Sequence, residues 1–302
     1  QQDGHMAMHN PRGRVNYEPN SWDAEPNPRE NPKIGFESYA EPVEGTKQRV
    51  RSETFADHYS QARQFWISQT ETEQRHIANG FTFELSKCQR EDIRLRMLSH
   101  LMNVHDDLAQ MVAEGLGVVD MPEAATPARA PITDLPPSDA LSILKNGPKT
   151  FAGRKLGLFI ADGADADQVA ALEKAFKDEG AMVAIVTAQI FGATLSDGST
   201  KPADEKIDGG PSVVFDAVAL VMPKEEGETL ALNKPAQDFV SDAFAHAKFI
   251  AYSDGAMPLF KATGIADKID DGMLKLGDKS AKDFVKLCRG MRFWERETKM
   301  TG

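Results

Sequence analysis

The sequence predicts an α + α/β protein: an extended arm and a helical region, followed by a doubly wound parallel-sheet domain. Three observations carry this. Apolar residues recur at helical spacing within residues 53–117. Short apolar runs alternate with amphipathic segments over 151–302. A proline-rich stretch at 118–150 separates the two.

Residues 1–52 form the arm. Asn10-Pro11, Pro19-Asn20, Pro26-Asn27-Pro28 and Asn31-Pro32 punctuate it. Proline fixes φ and removes a backbone donor, so an extended or turning path is expected. Val15, Tyr17, Trp22, Ile34, Phe36 and Tyr39 are dispersed apolar anchors, as in a segment laid across another surface.

Three helices are expected in 53–117. Phe55, Tyr59, Ala62, Phe65 and Trp66 recur at spacings of three and four. A second helix spans about Thr72 to Leu85, with Ile77, Phe81 and Leu85 on one face. Leu98, Leu101, His105, Leu108 and Val112 make the narrow stripe of a third, ending at Gly115 or Gly117. In the linker, Pro122, Pro127, Pro131, Pro136, Pro137 and Pro148 favour a stiff, extended spacer and mark the clearest domain boundary.

In 151–302, Leu156–Ala161 is a continuous apolar run, the pattern of a buried parallel strand. Val169, Leu172 and Phe176 mark a helix ending near Gly180. Met182–Thr187, Phe215–Met222 and Phe249–Tyr252 follow as strands. Alternation of this kind implies a parallel sheet covered on both faces.

Bulk properties narrow the function. The net charge of −11 over 302 residues argues against a nucleic-acid partner. No apolar run approaches the roughly 18 to 20 residues of a membrane span. The amino terminus, Gln1-Gln2-Asp3-Gly4, has no secretory-signal pattern. Cys88 and Cys288 have neither metal-ligand nor redox-motif spacing. This usage suits a reducing, cytoplasmic setting, with both thiols read as buried small apolar residues.

Two stretches carry a family resemblance. Asp3-Gly4-His5-Met6 and Arg14-Val15-Asn16-Tyr17-Glu18-Pro19-Asn20-Ser21 resemble the segment after the haem-binding barrel of haem catalases. Phe55-Ala56-Asp57-His58-Tyr59-Ser60-Gln61-Ala62-Arg63-Gln64-Phe65, Glu73-Gln74-Arg75-His76-Ile77 and Phe81-Thr82-Phe83-Glu84-Leu85-Ser86-Lys87 look like the helical region of its large-subunit members. The carboxy-terminal part is similar to the flavodoxin-like, class I glutamine-amidotransferase-like domain that only large-subunit catalases carry.

The resemblance implies an intact protein that converts hydrogen peroxide to water and dioxygen at a buried haem b or d, as a homotetramer with interwoven arms. Its catalysis needs a distal His with an Asn, and a proximal Tyr whose phenolate binds iron. In the family these groups lie in the barrel and just after it, upstream of the segment matching residue 3. No such pattern is found here. No catalytic, haem-binding or metal-binding residue is assigned, and this chain alone is expected to bind no haem.

Several side chains invite a chemical reading. His76 and Asn79 sit close together, as a distal pair would. They fall on an amphipathic helix, and a structural role is expected. His100 and His105, five apart, do not share a helical face as i, i+4 residues would. His105 is expected in the packed stripe, satisfied by Asp106 or a backbone group. His5 and His9 belong to the arm. Asp162-Gly163-Ala164-Asp165 follows the first strand, where doubly wound folds bind phosphate, but two aspartates repel that ligand. Phe293-Trp294-Glu295 is expected to dock the tail.

Amidotransferase-like enzymes place a Cys nucleophile on a sharp turn between strand and helix. The equivalent turn here is Ser253-Asp254-Gly255-Ala256, and Asp254 occupies the nucleophile position, which makes the elbow degenerate. An aspartate cannot perform thiolate acyl chemistry. Ser253 is one residue early, and His246 precedes the strand. The plain alternative is that Asp254 caps the following helix.

Three functional readings follow. The chain supplies assembly and stability to a catalase. Alternatively it is a haem-independent interaction or holdase module using exposed aromatics of the arm. Or the α/β domain retains hydrolytic or small-molecule activity.

Overall fold

The computed structural model describes residues 39–277 and 280–300. The chain divides into two compact units at Phe55/Ala56. In the first unit, residues 39–52 form no helix or strand, and Tyr39, Val43 and Val50 are largely exposed. The other arm anchors, His5, His9 and the first motif lie outside the described residues.

The second unit begins with four helices: α1 (Ser60–Ser68), α2 (Glu71–Ser86), α3 (Glu91–Val104) and α4 (Asp106–Leu116). Three of them have a side-chain contact that sets their start. Asp57 accepts hydrogen bonds from the Ser60 hydroxyl at 2.7 Å and the Ser60 N–H at 3.0 Å, which sets the start of α1 after Tyr59 rather than at Phe55. Thr70 and Glu73 form a reciprocal capping box on α2. The expected third helix is two helices. His105 takes an extended conformation (φ −165°) that ends α3, and its Nδ1 accepts the Asp107 N–H at 3.2 Å to begin α4. Asp106 and Asp107 then sit in the first turn of α4, where carboxylates complement the helix dipole. The freed Val104 carbonyl accepts from Arg63 at 2.9 Å. Gly117, at φ 72°, closes α4. Trp66, Leu98, Leu108, Val112 and their neighbours form one apolar core. Full burial of each large side chain contributes about 1.5–3 kcal/mol.

Residues 118–142 are not a free spacer. They lie as a strap on the helices. The Ala125 N–H donates to Ser99 O at 2.9 Å and the Ile132 N–H to Ser60 Oγ at 2.8 Å. The Ser138 N–H donates to Ser68 Oγ at 2.9 Å, and Gln64 donates to Pro136 O at 3.3 Å. Proline removes internal donors, so the remaining backbone groups find partners on the helical surface. The strap ends in a single helical turn, α5 (Ile143–Asn146).

The α/β domain follows: β1 (Lys155–Ile160), α6 (Ala166–Asp178), β2 (Met182–Thr187), the hairpin strands β3 (Ala193–Thr194) and β4 (Thr200–Lys201), β5 (Glu205–Lys206), β6 (Ala217–Val221), α7 (Lys224–Leu230), α8 (Lys234–Ala245), β7 (Ile250–Tyr252), α9 (Met257–Ala262), β8 (Met273–Lys275), α10 (Ser280–Cys288) and α11 (Glu295–Met300). Six strands form one sheet in the order β5-β2-β1-β6-β7-β8, every pair parallel. Leu158 stands opposite Ile185 on one side and Ala219 on the other. Alternate strand residues feed opposite cores. Leu156, Leu158, Ile160 and Ala219 pack under Phe176 of α6 and Phe284 of α10. Phe159, Val218, Leu220 and Ile250 pack under Phe239 of α8 and Phe260 of α9. The expected doubly wound sheet is therefore present.

Candidate functional site

In a doubly wound sheet the ligand crevice opens where the strand order reverses, at the carboxyl ends of the central strands. Here that point lies between β1 and β6, and it is filled. The β3–β4 hairpin folds back on the loop after β1. Asp162 Oδ1 accepts from the Thr194 N–H at 2.7 Å, and the Gly163 N–H donates to Thr194 O at 2.7 Å. Ser196 bonds Ala164 and Ala166. Asp165 Oδ1 caps α6 through the Gln168 N–H at 2.9 Å. A Cβ on Gly163 would meet Pro223 at 3.2 Å, and one on Gly255 would meet Met222 O at 1.9 Å. The loop after β1, the Pro223 turn and the turn after β7 therefore touch one another.

The turn after β7 does not present a nucleophile. Ser253 Oγ accepts the Met222 N–H at 3.0 Å and donates to Met222 O at 2.9 Å, so its hydroxyl joins β6 to β7. Asp254 opens a 3-10 turn, Asp254–Ala256, and its side chain caps neither that turn nor α9, contrary to the helix-capping expectation. Its exposed carboxylate instead pairs with Lys275 at 2.7 Å, which lies one strand away on β8. The hydrogen bond from Lys275 to Asp254 raises the Lys275 pKa. Outside glycine, only Ala247 and Met291 among the described residues have positive φ, so Asp254 sits in ordinary backbone. His246 lies at the end of α8, before β7, and its Nδ1 donates to Asp242 O at 2.6 Å. Cys288 is buried in α10, where burial pushes its thiol pKa up, and Cys88 lies among the helices. The turn, the imidazole and the thiols are not brought together.

Three histidines of the helical layer, His76, His100 and His105, are occupied as well. His76 Nε2 lies 2.7 Å from Glu297 Oε2, and its ring packs against Trp294 at 4.9 Å. Asn79 is exposed on the same helix. His100 Nδ1 bonds Tyr59 Oη at 2.8 Å. His105 is the cap already described, so a backbone group satisfies it, that of Asp107 rather than Asp106. No group of three or more His, Cys, Asp or Glu side chains among the described residues could hold a metal ion.

The axial phenolate that the family resemblance implies has no counterpart among the described tyrosines, which are otherwise placed. Tyr39 is exposed, Tyr59 is bonded to His100, and Tyr252 packs on Phe260, where burial raises its phenol pKa. A surface cleft of about 980 Å³ between α6 and α10 is lined by charged and apolar side chains alike, Asp167, Lys174 and Lys282 beside Leu172, Ala175 and Leu276.

The buried charge of the domain lies at the opposite, amino-terminal end of the sheet, and the sequence carried no sign of it. Arg296 grips Asp270 bidentately, Nε to Oδ2 at 2.7 Å and Nη2 to Oδ1 at 2.9 Å, with both side chains nearly inaccessible. Arg296 also donates to Lys248 O at 2.8 Å and stacks its guanidinium over Phe244 at 4.4 Å. The buried Lys248 ammonium donates to the carbonyls of Ser212 and Phe215. Burial, assisted by Arg292, lowers the Lys248 pKa to about 8 despite opposing pulls from Asp216 and Asp242.

A second polar centre joins the strap to the helices. Glu73 accepts from the Thr70 N–H at 2.9 Å, the Ser142 hydroxyl at 2.7 Å and the Leu144 N–H at 3.1 Å. Burial acts to raise its pKa. The hydrogen bonds from Thr70, Ser142 and Leu144 outweigh it and bring the value to about 2.

Comparison with known proteins places the chain in a family. Residues 52–116 match a family model described as catalase-related immune-responsive. Residues 152–298 match the C-terminal domain found in long catalases. The chain is 49% identical over 298 residues to Catalase C of Rhizobium meliloti (strain 1021), which covers 98% of this chain and 42% of the relative. It is 38% identical to Catalase HPII of Pseudomonas putida, covering 95% of this chain and 40% of the relative. It is 34% identical to Catalase-B of Dictyostelium discoideum, covering 100% and 44%. The chain thus spans less than half the length of these relatives. With both family models matched along one chain, the helical layer and the parallel-sheet domain belong to the large-subunit catalase family, of which this chain is a carboxy-terminal portion.

Proposed function

We propose that this chain is a non-catalytic part of a cytoplasmic catalase that converts hydrogen peroxide to water and dioxygen. Its role is assembly and stability. The carrying observation is that its chemically able side chains are already spent on structural contacts: Ser253 on Met222, Asp254 on Lys275, His76 on Glu297, Tyr59 on His100 and Arg296 on Asp270. In the intact protein, haem b or d belongs to other residues, and the assembly is a homotetramer. The working division is an arm at 1–52, a helical region at 53–117, a linker at 118–150 and a flavodoxin-like domain at 151–302. Asp254 marks a degenerate elbow in that domain rather than a hydrolytic site. A net charge of −11 disfavours nucleic acid as a partner, and no described helix is long and apolar enough to cross a membrane.

The test mixes the purified chain with haemin and then with peroxide. The expected result is no Soret band of an axially ligated ferric haem and no dioxygen evolution. Robust turnover by this chain overturns the assignment.

A further inference from the structure

The geometry points to α11 as a clamp: a short helix that fastens the helical layer to the α/β domain, so that the two regions open together. This stands apart from the assignment above, because it concerns only contacts within the chain.

Two consecutive residues carry it. On a helix, neighbours diverge by about 100°. Arg296 turns into the α/β domain and Glu297 turns out of it. The Arg296 side is rigid. Its guanidinium is held by Asp270, Phe244 O and Lys248 O, and the Phe293 N–H donates to Ala247 O at 2.7 Å. The tail is seated so closely that a Cβ on Gly272 would lie 2.6 Å from Phe293 Cγ and 2.8 Å from Arg296 Nη2. With 296 fixed, the Glu297 carboxylate is delivered to α2. There His76 Nε2 lies at 2.7 Å and Arg75 Nη2 at 3.5 Å. Trp294, one turn earlier, packs edge-on against the same imidazole.

Beside these contacts the two regions are separated by an open groove of about 800 Å³, lined by Thr70, Arg75, Leu144, Phe249 and Asp271 among others. A second tie is the strap bonded to Glu73. Through these contacts a perturbation of α11 from either side reaches the other. Coupling of this kind is reciprocal by thermodynamic necessity.

Hydrogen exchange resolved by peptide, on the 302-residue chain, tests the clamp. His76→Ala should raise exchange in the tail peptide 291–300 about fivefold, as expected for losing a partly exposed hydrogen bond to a carboxylate, and leave β1 unchanged. Asp270→Asn should raise exchange in the first two turns of α2, although the substitution lies in the other domain. Should Asp270→Asn fail to fold, Glu297→Gln replaces it and should loosen both the tail and α2. Changes confined to the region that carries the substitution overturn the proposal, as does unchanged exchange in either region of Glu297→Gln.

Discussion

The two ends of the parallel sheet differ in where they keep their charge. At the carboxyl ends of the strands, charges are exposed and paired in water, as in Asp254 with Lys275, and the interior is filled by Pro223, glycine contacts and the β3–β4 hairpin. At the amino ends, Arg296, Asp270 and Lys248 are buried almost completely. In a ligand-binding doubly wound domain, functional polar groups gather at the carboxyl end. Their burial at the other end teaches that this domain invests its polar groups in holding its own tail.

The largest effect that can break this comparison is at the amino end. Asp270→Asn leaves a buried guanidinium without its counter-charge and should cost about 3–5 kcal/mol, read as a lower urea midpoint. A near-wild-type midpoint would mean that the knot is incidental. At the carboxyl end, Ser253→Ala leaves the Met222 N–H without its partner and should cost about 1–2 kcal/mol, with no other phenotype than stability.

Two pH experiments sharpen the contrast. Glu73, with a pKa near 2 against an ordinary 4.5, contributes stability that is fully present above the ordinary value and lost as the pH falls through 4.5 towards 2. Glu73→Gln should remove that acid limb, seen in unfolding midpoints between pH 2 and 5. Lys248 has the opposite sense. Its native pKa of about 8 lies below the ordinary 10.5, so between these values the unfolded chain holds more protons and stability rises with pH. Lys248→Met should flatten that rise, and a profile that stays steep excludes Lys248 as its source. The smallest effect is expected for Asp254→Ala, which removes an exposed pair; its urea midpoint should match the wild type, and a clear drop would show that the carboxyl end also depends on charge.

Much of the architecture was legible beforehand. The stretch Met182–Thr187 is a strand to the residue, and Leu156–Ala161 is displaced by one, because continuous apolar runs report strands buried on both faces. The edge strands β5 and β8 are two and three residues long, too short for an apolar period to mark them. The two-residue strands of the β3–β4 hairpin are hidden for the same reason. The break at His105 was hidden because α3 and α4 continue one apolar stripe across it, and periodicity records the stripe rather than the φ of one residue. Asp254 lies in the 3-10 turn that follows β7. Its partner was not foreseen, since Lys275 is adjacent only through the pairing of β7 with β8.

By itself the sequence determined the order of helices, proline-rich stretch and alternating α/β elements, because apolar period and proline placement act locally along the chain. It also carried the family resemblance in contiguous motifs. Only the tertiary structure decided what the polar residues do. Arg296 with Asp270, His76 with Glu297 and Glu73 with Ser142 are far apart in sequence, and nothing local distinguishes a charge that will be buried in a pair from one that will face water. Burial removes the alternative of hydration, so the partner that the fold supplies fixes both the energy and the role of each charge.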